Sequence, residues 1–197
     1  MITPISLLRA RQPVLRTGRL VLRPPRSADT EALAQHLSDP DVARMLIHVP
    51  LPCGRARAAA WIGGMRAEIR RGRARYYVLQ QGPAVAGLAG LTDIGAGRAE
   101  LGYWLGRKWW GRGLMSEAVT PILCASWRLS GLERIEAVHM ADNEASARLL
   151  LGAGFRYTGA VKLHSRARGM DVLCRTMRLD REWAEAQTGL ATAAPAA

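Results

Sequence analysis

The stretch at residues 100–118, ELGYWLGRKWWGRGLMSEA, brings a carboxylate, glycines and three cations together. Its first part alternates apolar and small or polar positions, as a strand does, and ends at Leu105. A basic loop with Gly111 and Gly113 follows, and a helix-like run begins at Leu114. Glycines let a backbone come close to an anion, and a helix start offers unpaired N–H groups at the positive end of its dipole. Arg107, Lys108 and Arg112 add charge. This order of features serves the binding of a phosphorylated ligand.

Two familiar phosphate loops fit poorly. A P-loop needs Gly, four residues and then Gly-Lys-Ser/Thr; Gly106 and Gly111 keep the gap, but Arg112 and Gly113 stand where the lysine and the magnesium-binding hydroxyl belong. A dinucleotide fingerprint needs a third small residue and an acidic residue after the next strand, and Gly111-x-Gly113 followed by Ser116 matches it only in part. The pattern that fits is (Gln/Arg)-x-x-Gly-x-(Gly/Ala), carried by Lys108-Trp109-Trp110-Gly111-Arg112-Gly113 with Lys108 in place of the usual first residue. A second element follows downstream, Asn143-Glu144-Ala145-Ser146-Ala147-Arg148-Leu149-Leu150 leading to Gly154-Phe155. On these two elements, in this order, the chain resembles the GNAT superfamily of N-acetyltransferases. The segments TGRLVLRPPRSADTEAL (17–33), LSDPDVARML (37–46) and GLERIEAV (131–138), with ELGYWL and WWGRGLMSEA, resemble the RimJ/RimL-like branch, which contains the ribosomal-protein N-terminal alanine acetyltransferases.

The resemblance implies a single α/β (α+β) domain with a mixed, mostly antiparallel central sheet flanked by helices. It implies acetyl-CoA as cofactor and direct transfer of its acetyl group to a primary amine, a protein N-terminus or a small molecule. Contacts to the cofactor are expected from Tyr103, Trp104 and Leu105, from Lys108, Gly111, Arg112 and Gly113, from Leu114 and Met115, and from Asn143. Asn143 has a competing role as a helix N-cap, and the two are compatible. Each tryptophan of 104, 109 and 110 could stack on a ligand or pack at a strand end.

The chemistry needs a base for the attacking amine and a proton or dipole for the departing thiolate. Side chains alternate along a strand, so Glu100 shares a face with Gly102 and Trp104, while Leu101, Tyr103 and Leu105 share the other. Glu100 is the expected base, its competing role being a surface carboxylate paired with an arginine. Many superfamily members carry a tyrosine seven residues after the asparagine equivalent to Asn143; here that position is Leu150. Ser146 resembles the serine that serves the thiolate in the ribosomal-protein branch, with a first-turn helix residue as the alternative. Glu117 is explained by the helix dipole without a catalytic role.

Composition agrees with one core-bearing domain: 197 residues, 49% of them hydrophobic. The net charge of +12 comes almost wholly from arginines scattered along the chain, which argues for a solvated surface over a dedicated nucleic-acid face. A basic RNA- or ribosome-binding protein with a degenerate cofactor site and a non-catalytic acyl-CoA sensor remain the other readings. Three cysteines without metal-ligand spacing imply neither disulfides nor a metal site, and the run at 5–8 is too short for a signal core or membrane span. A cytoplasmic monomer or homodimer is expected.

Positioning these groups requires an alternation of elements. Strands are expected at 19–23, 75–80, 85–91 and 98–105, a helix capped by Ser27 or Asp29, and another helix carrying Trp61, Met65 and Ile69. The phosphate-loop helix should reach about 129, bent or locally unwound at Pro121. A strand at 134–140, the Asn143 helix and strands near 155–163 and 171–179 complete the set. The domain is expected at 17–187, with an extension at 1–16 and an Ala-rich tail at 188–197.

Overall fold

The computed structural model describes residues 12–129 and 131–188. Eight strands form one sheet in the order β1-β2-β3-β4-β5-β6-β8-β7. They are β1 (Leu15–Arg16), β2 (Val21–Arg23), β3 (Arg75–Gln81), β4 (Ala84–Gly95), β5 (Arg98–Leu105), β6 (Arg134–Met140), β7 (Arg156–Ser165) and β8 (Met170–Asp180). The helices are α1 (Thr30–Leu37), α2 (Pro40–Ala43), α3 (Arg55–Arg70), α4 (Leu114–Ser126), α5 (Glu144–Gly152) and α6 (Arg181–Thr188). Every expected strand and helix is present. The short α2, started by Asp39 accepting from Asp41 N–H with Pro40 at its first position, was not foreseen, nor were β1 and α6. Of the expected extension, 1–11 lie outside the described residues, whereas Leu15 and Arg16 pair with β2; of the tail, 189–197 lie outside them.

All neighbouring strands are antiparallel except β5 and β6, whose parallel pairing needs a crossover, supplied by α4. That pairing runs from Arg98↔Arg134 to Leu101↔Ala137 and stops, although β5 continues to Leu105 and β6 to Met140. The two strands therefore part, and a cleft opens in the middle of the sheet. On one face of the sheet α4 and α5 cover the main core: Leu101, Leu105, Ile135 and Ala137 meet Leu114, Ala118, Ile122 and Leu150. On the other face Trp104 joins a smaller core with Leu37, Val42 and Cys53 from the region of α1 to α3.

Helix α4 forms because its apolar residues recur on one side: Leu114, Met115, Ala118, Val119, Ile122 and Leu123 are all buried. It stays helical through Pro121, so of the two expected effects, bending or local unwinding, unwinding is absent. The ring removes one backbone donor, and the turns on either side stay anchored by buried Val119, Ile122 and Leu123. Strand β4 needs its glycines, since a Cβ at Gly87 would collide with the Trp104 carbonyl and one at Gly90 with that of Arg75. Asp29 stands at the N-cap position of α1 as expected but makes no side-chain bond into that helix; its carboxylate accepts both guanidinium branches of Arg23 at 2.9 and 2.7 Å inside the protein and, as a capping-box bond of the preceding turn, the N–H of Arg26 at 2.7 Å.

Candidate active site

The loop between β5 and α4 has the conformation that a phosphate cradle requires. Gly111 and Gly113 sit at φ +70° and +69°, in the left-handed region that disfavours a side chain, and a Cβ on Gly111 would point into open space. Gly113 is the N-cap of α4, and the first bond at that helix end runs from Glu117 N–H to the Gly113 carbonyl at 3.1 Å. The N–H groups of Leu114, Met115 and Ser116 therefore have no intrahelical acceptor. The side chains of Leu114 and Met115 are buried in the core, so these residues can serve a ligand only through the backbone. Arg19 braces the loop from behind: its Nη1 donates to the Arg112 carbonyl at 2.9 Å, and its Nε to Glu117 at 2.6 Å. The Thr17 hydroxyl and Arg19 together hold the Glu117 carboxyl below its ordinary range.

Lys108 and Arg112 lie over the ring of Trp109, at 5.2 and 5.5 Å from its centroid. Arg112 lines the cavity described below; Lys108 does not, and Arg107 is paired with Asp41 at 2.8 Å. Trp110 donates its indole N–H to the Leu105 carbonyl at 2.8 Å, which fixes the strand end against the loop. Positive backbone ends, the Arg112 guanidinium on the cavity wall and glycines without obstruction fit a pyrophosphate well.

From this loop a cavity of about 1100 Å³ runs through the parting of β5 and β6 and out to the other face of the sheet. Pockets for small molecules run to roughly 300–1000 Å³, so this cavity is at the upper end of that range. On the α5 face the Tyr103 hydroxyl and Ser146 Oγ are 2.6 Å apart. Burial, eased by the bond to Ser146, pushes the Tyr103 phenol up to about 12. Asn143 caps α5 by accepting from Ser146 N–H at 3.1 Å, which uses its oxygen and leaves its amide NH₂ as a donor toward the cavity it lines.

Glu100 lines the cavity on the opposite face, beside Trp104 and near His48. It touches solvent through the cavity, yet the surrounding protein raises its carboxyl, with Asp93 adding to the rise and His48 opposing it. Its in-register neighbour Glu136 is held low by Arg134 and Arg98. The two adjacent carboxylates are thus driven apart, and Glu100 is the one without a hydrogen-bonded arginine. A base and a hydroxyl pair stand on opposite sides of one opening.

The expected residues Glu100, Tyr103, Trp104, Leu105, Gly111, Arg112, Gly113, Leu114, Met115, Asn143 and Ser146 all line this cavity, and Lys108 alone stands outside the lining. Sequence reasoning missed Arg19, the direct bond between Tyr103 and Ser146, and His139. The last is buried with Nδ1 against the Met140 carbonyl at 2.8 Å and Nε2 without a protein partner. Among the described residues no group of His, Cys, Asp and Glu could hold a metal ion, and no helix is long and apolar enough to cross a membrane.

The family model for the acetyltransferase (GNAT) domain matches residues 19–156. The chain is 32% identical over 176 residues to an uncharacterized N-acetyltransferase, p20, of Bacillus licheniformis, a match covering 86% of this chain and 98% of the relative. Over 81 residues it is 36% identical to the ribosomal protein uS5-alanine N-acetyltransferase of Escherichia coli K12, covering 40% of this chain and 42% of that one. Mycobacterium smegmatis RimJ, solved in complex with CoA-disulfide, superposes with a TM-score of 0.73 at 24% identity, covering 86% of this chain and 87% of that one.

Proposed function

Since the chain belongs to the GNAT acetyltransferase family, we propose that it transfers the acetyl group of acetyl-CoA to a primary amine by direct attack on the thioester. The observation that carries this reading is the parting of β5 and β6, which connects the Gly111–Gly113 loop to Glu100 on one face and to Tyr103 and Ser146 on the other. Bound acetyl-CoA supplies an activated acetyl group on a sulfur leaving group.

The chain's own residues divide the remaining work. Backbone N–H groups from Gly111 to Ser116, with Arg112, hold the pyrophosphate, and the Asn143 amide holds a carbonyl of the pantetheine arm. Glu100 takes the proton of the arriving ammonium, directly or through water, and its raised carboxyl lies closer to neutral pH than an ordinary glutamate does. Ser146 gives its hydroxyl hydrogen bond to the sulfur as negative charge develops there. Either hydroxyl of this pair can donate across the 2.6 Å between them; with Tyr103 as donor the serine hydrogen is free to turn toward that sulfur.

Protein N-termini are the favoured acceptor class, supported by the similarity to the uS5-alanine enzyme over 81 residues. Residues 17–187 form the transferase unit, and the free cysteines among the described residues suit a reducing cytoplasm. The reading is tested by incubating the protein with acetyl-CoA and a panel of peptides and small amines: acetylated amine is the expected product, and none from any acceptor would refute it.

A further inference from the structure

The acceptor side of the cavity has a composition that selects among amines. On the face that carries Glu100, alternation places Val138 and Met140 of β6 on the same side as Glu136. Pairing across β8 and β7 sets Met140, Cys174 and Val161 in one row and Val172 and Leu163 in the next. Met140, Val172 and Cys174 form a buried cluster, against which Ile47, Val138 and Leu163 pack. Ile47, Val138, Val161 and Leu163 line the cavity, together with Met45 and Leu46. The result is a continuous aliphatic and thioether wall beside the carboxylate.

This wall is held in place. The turn between β7 and β8 is tied to the segment after α2 by Arg166 N–H donating to the Ile47 carbonyl at 3.0 Å. Arg168 Nε donates to the Arg44 carbonyl at 2.8 Å. The Arg168 guanidinium also grips both oxygens of Asp142, at 2.7 and 3.2 Å, and touches Met45 Sδ at 3.7 Å. That pairing offsets the charge of Asp142, which also lines the cavity, and leaves Glu100 to receive a cation. The thiolate partners Tyr103 and Ser146 lie on the opposite face, so the wall faces the acceptor and not the leaving group.

We infer that the acceptor is a primary amine whose amino-bearing carbon carries an aliphatic or thioether side group, seated against Ile47, Val138, Val161 and Leu163 while Glu100 meets the amine. This inference rests on the acetyltransferase reading of the site. A hydroxyl or carboxylate at that position loses its water against a surface with no partner to offer, and a carboxylate is also repelled by Glu100. Each methylene filling such a pocket is worth roughly 10-fold or more in discrimination.

The test compares leucinamide and methioninamide with serinamide and glycinamide, and peptides that begin with Leu with the same peptides beginning with Ser. Two quantities are read: kcat/KM for acetyl transfer, and calorimetric affinity of each amine for the CoA-bound protein. Leu should exceed Ser by about tenfold or more in both quantities. Leu163→Ser should reduce that ratio severalfold and Leu163→Met should keep it, with Val161→Ser as the second variant if Leu163→Ser does not fold. A Leu/Ser ratio near one, or a ratio that Leu163→Ser and Val161→Ser leave unchanged, overturns the inference. A clear preference in binding without acetyl transfer supports the pocket and refutes the transferase reading, so the two claims fail separately.

Discussion

Tyr103→Phe removes a single hydroxyl, the one 2.6 Å from Ser146 Oγ, and keeps the ring that packs against the main core. The proposed mechanism does not use the phenol as the acid. With its pKa near 12 against about 8.5 for an ordinary cysteine thiol, giving its proton to the thiolate would run uphill by on the order of 5 kcal/mol. Its contribution is the orientation and polarisation of Ser146, a neutral hydrogen bond worth about 0.5–1.5 kcal/mol, which is roughly 2–10-fold in rate. Tyr103→Phe should therefore lower kcat by about 2–10-fold with little change in CoA affinity, and Ser146→Ala by about 10–100-fold. Because Tyr103 acts through Ser146, the double variant should match Ser146→Ala alone. Steady-state kinetics give the rates, and calorimetry gives the CoA affinity. Losses that multiply in the double variant would refute the coupling.

Gly113 stands at φ +69°, so Gly113→Val should cost about 1–2 kcal/mol of stability from backbone strain. It should also weaken CoA binding by at least about tenfold, as measured by calorimetry on the folded fraction. Glu100 is exposed on the cavity wall, yet partial desolvation by the surrounding protein raises its carboxyl, so the wild-type pH profile of kcat/KM should show an acid limb shifted up from that of an ordinary glutamate; Glu100→Gln should lack that limb, with its deficit shrinking at high pH. Because folding raises this carboxyl, its charge opposes folding above the unfolded pKa, and Glu100→Gln should melt no lower than wild type at neutral pH. Arg19→Met, which releases the Arg112 carbonyl and Glu117, should weaken CoA binding severalfold, and an affinity equal to wild type would show that the loop needs no brace. Asp29→Ala strands the buried Arg23 and should lower the unfolding free energy by about 3–5 kcal/mol in denaturant titration.

The features legible in the sequence were those encoded within a few residues. The strand at 134–140 and the division of 100–105 into two faces follow from alternation, and the Asn143 cap from its place before a helical run. The glycines at 111 and 113 announced their conformation because few other residues tolerate it. The contacts that the local pattern could not show join distant positions: Arg19 with Arg112 and Glu117, 93 and 98 residues on; Tyr103 with Ser146, 43 residues on; Arg168 with Arg44, 124 residues back. Tyr103 illustrates the reason. Its type and its face could be read, but a partner on α5 exists only after α4 carries the chain across to β6. At Pro121 the buried residues on either side keep the helix continuous, so the local propensity for unwinding does not prevail.

The central claim is that this site moves an acetyl group from CoA to an amine. The direct measurement follows both products in one reaction, free CoA thiol by colorimetry and acetylated Leu-initial peptide by mass spectrometry. The account predicts that the two appear in equal amounts, depend on the peptide, and fall together in Gly113→Val and Ser146→Ala. Thiol release without acetylated peptide, or tight CoA binding with neither product, would contradict it.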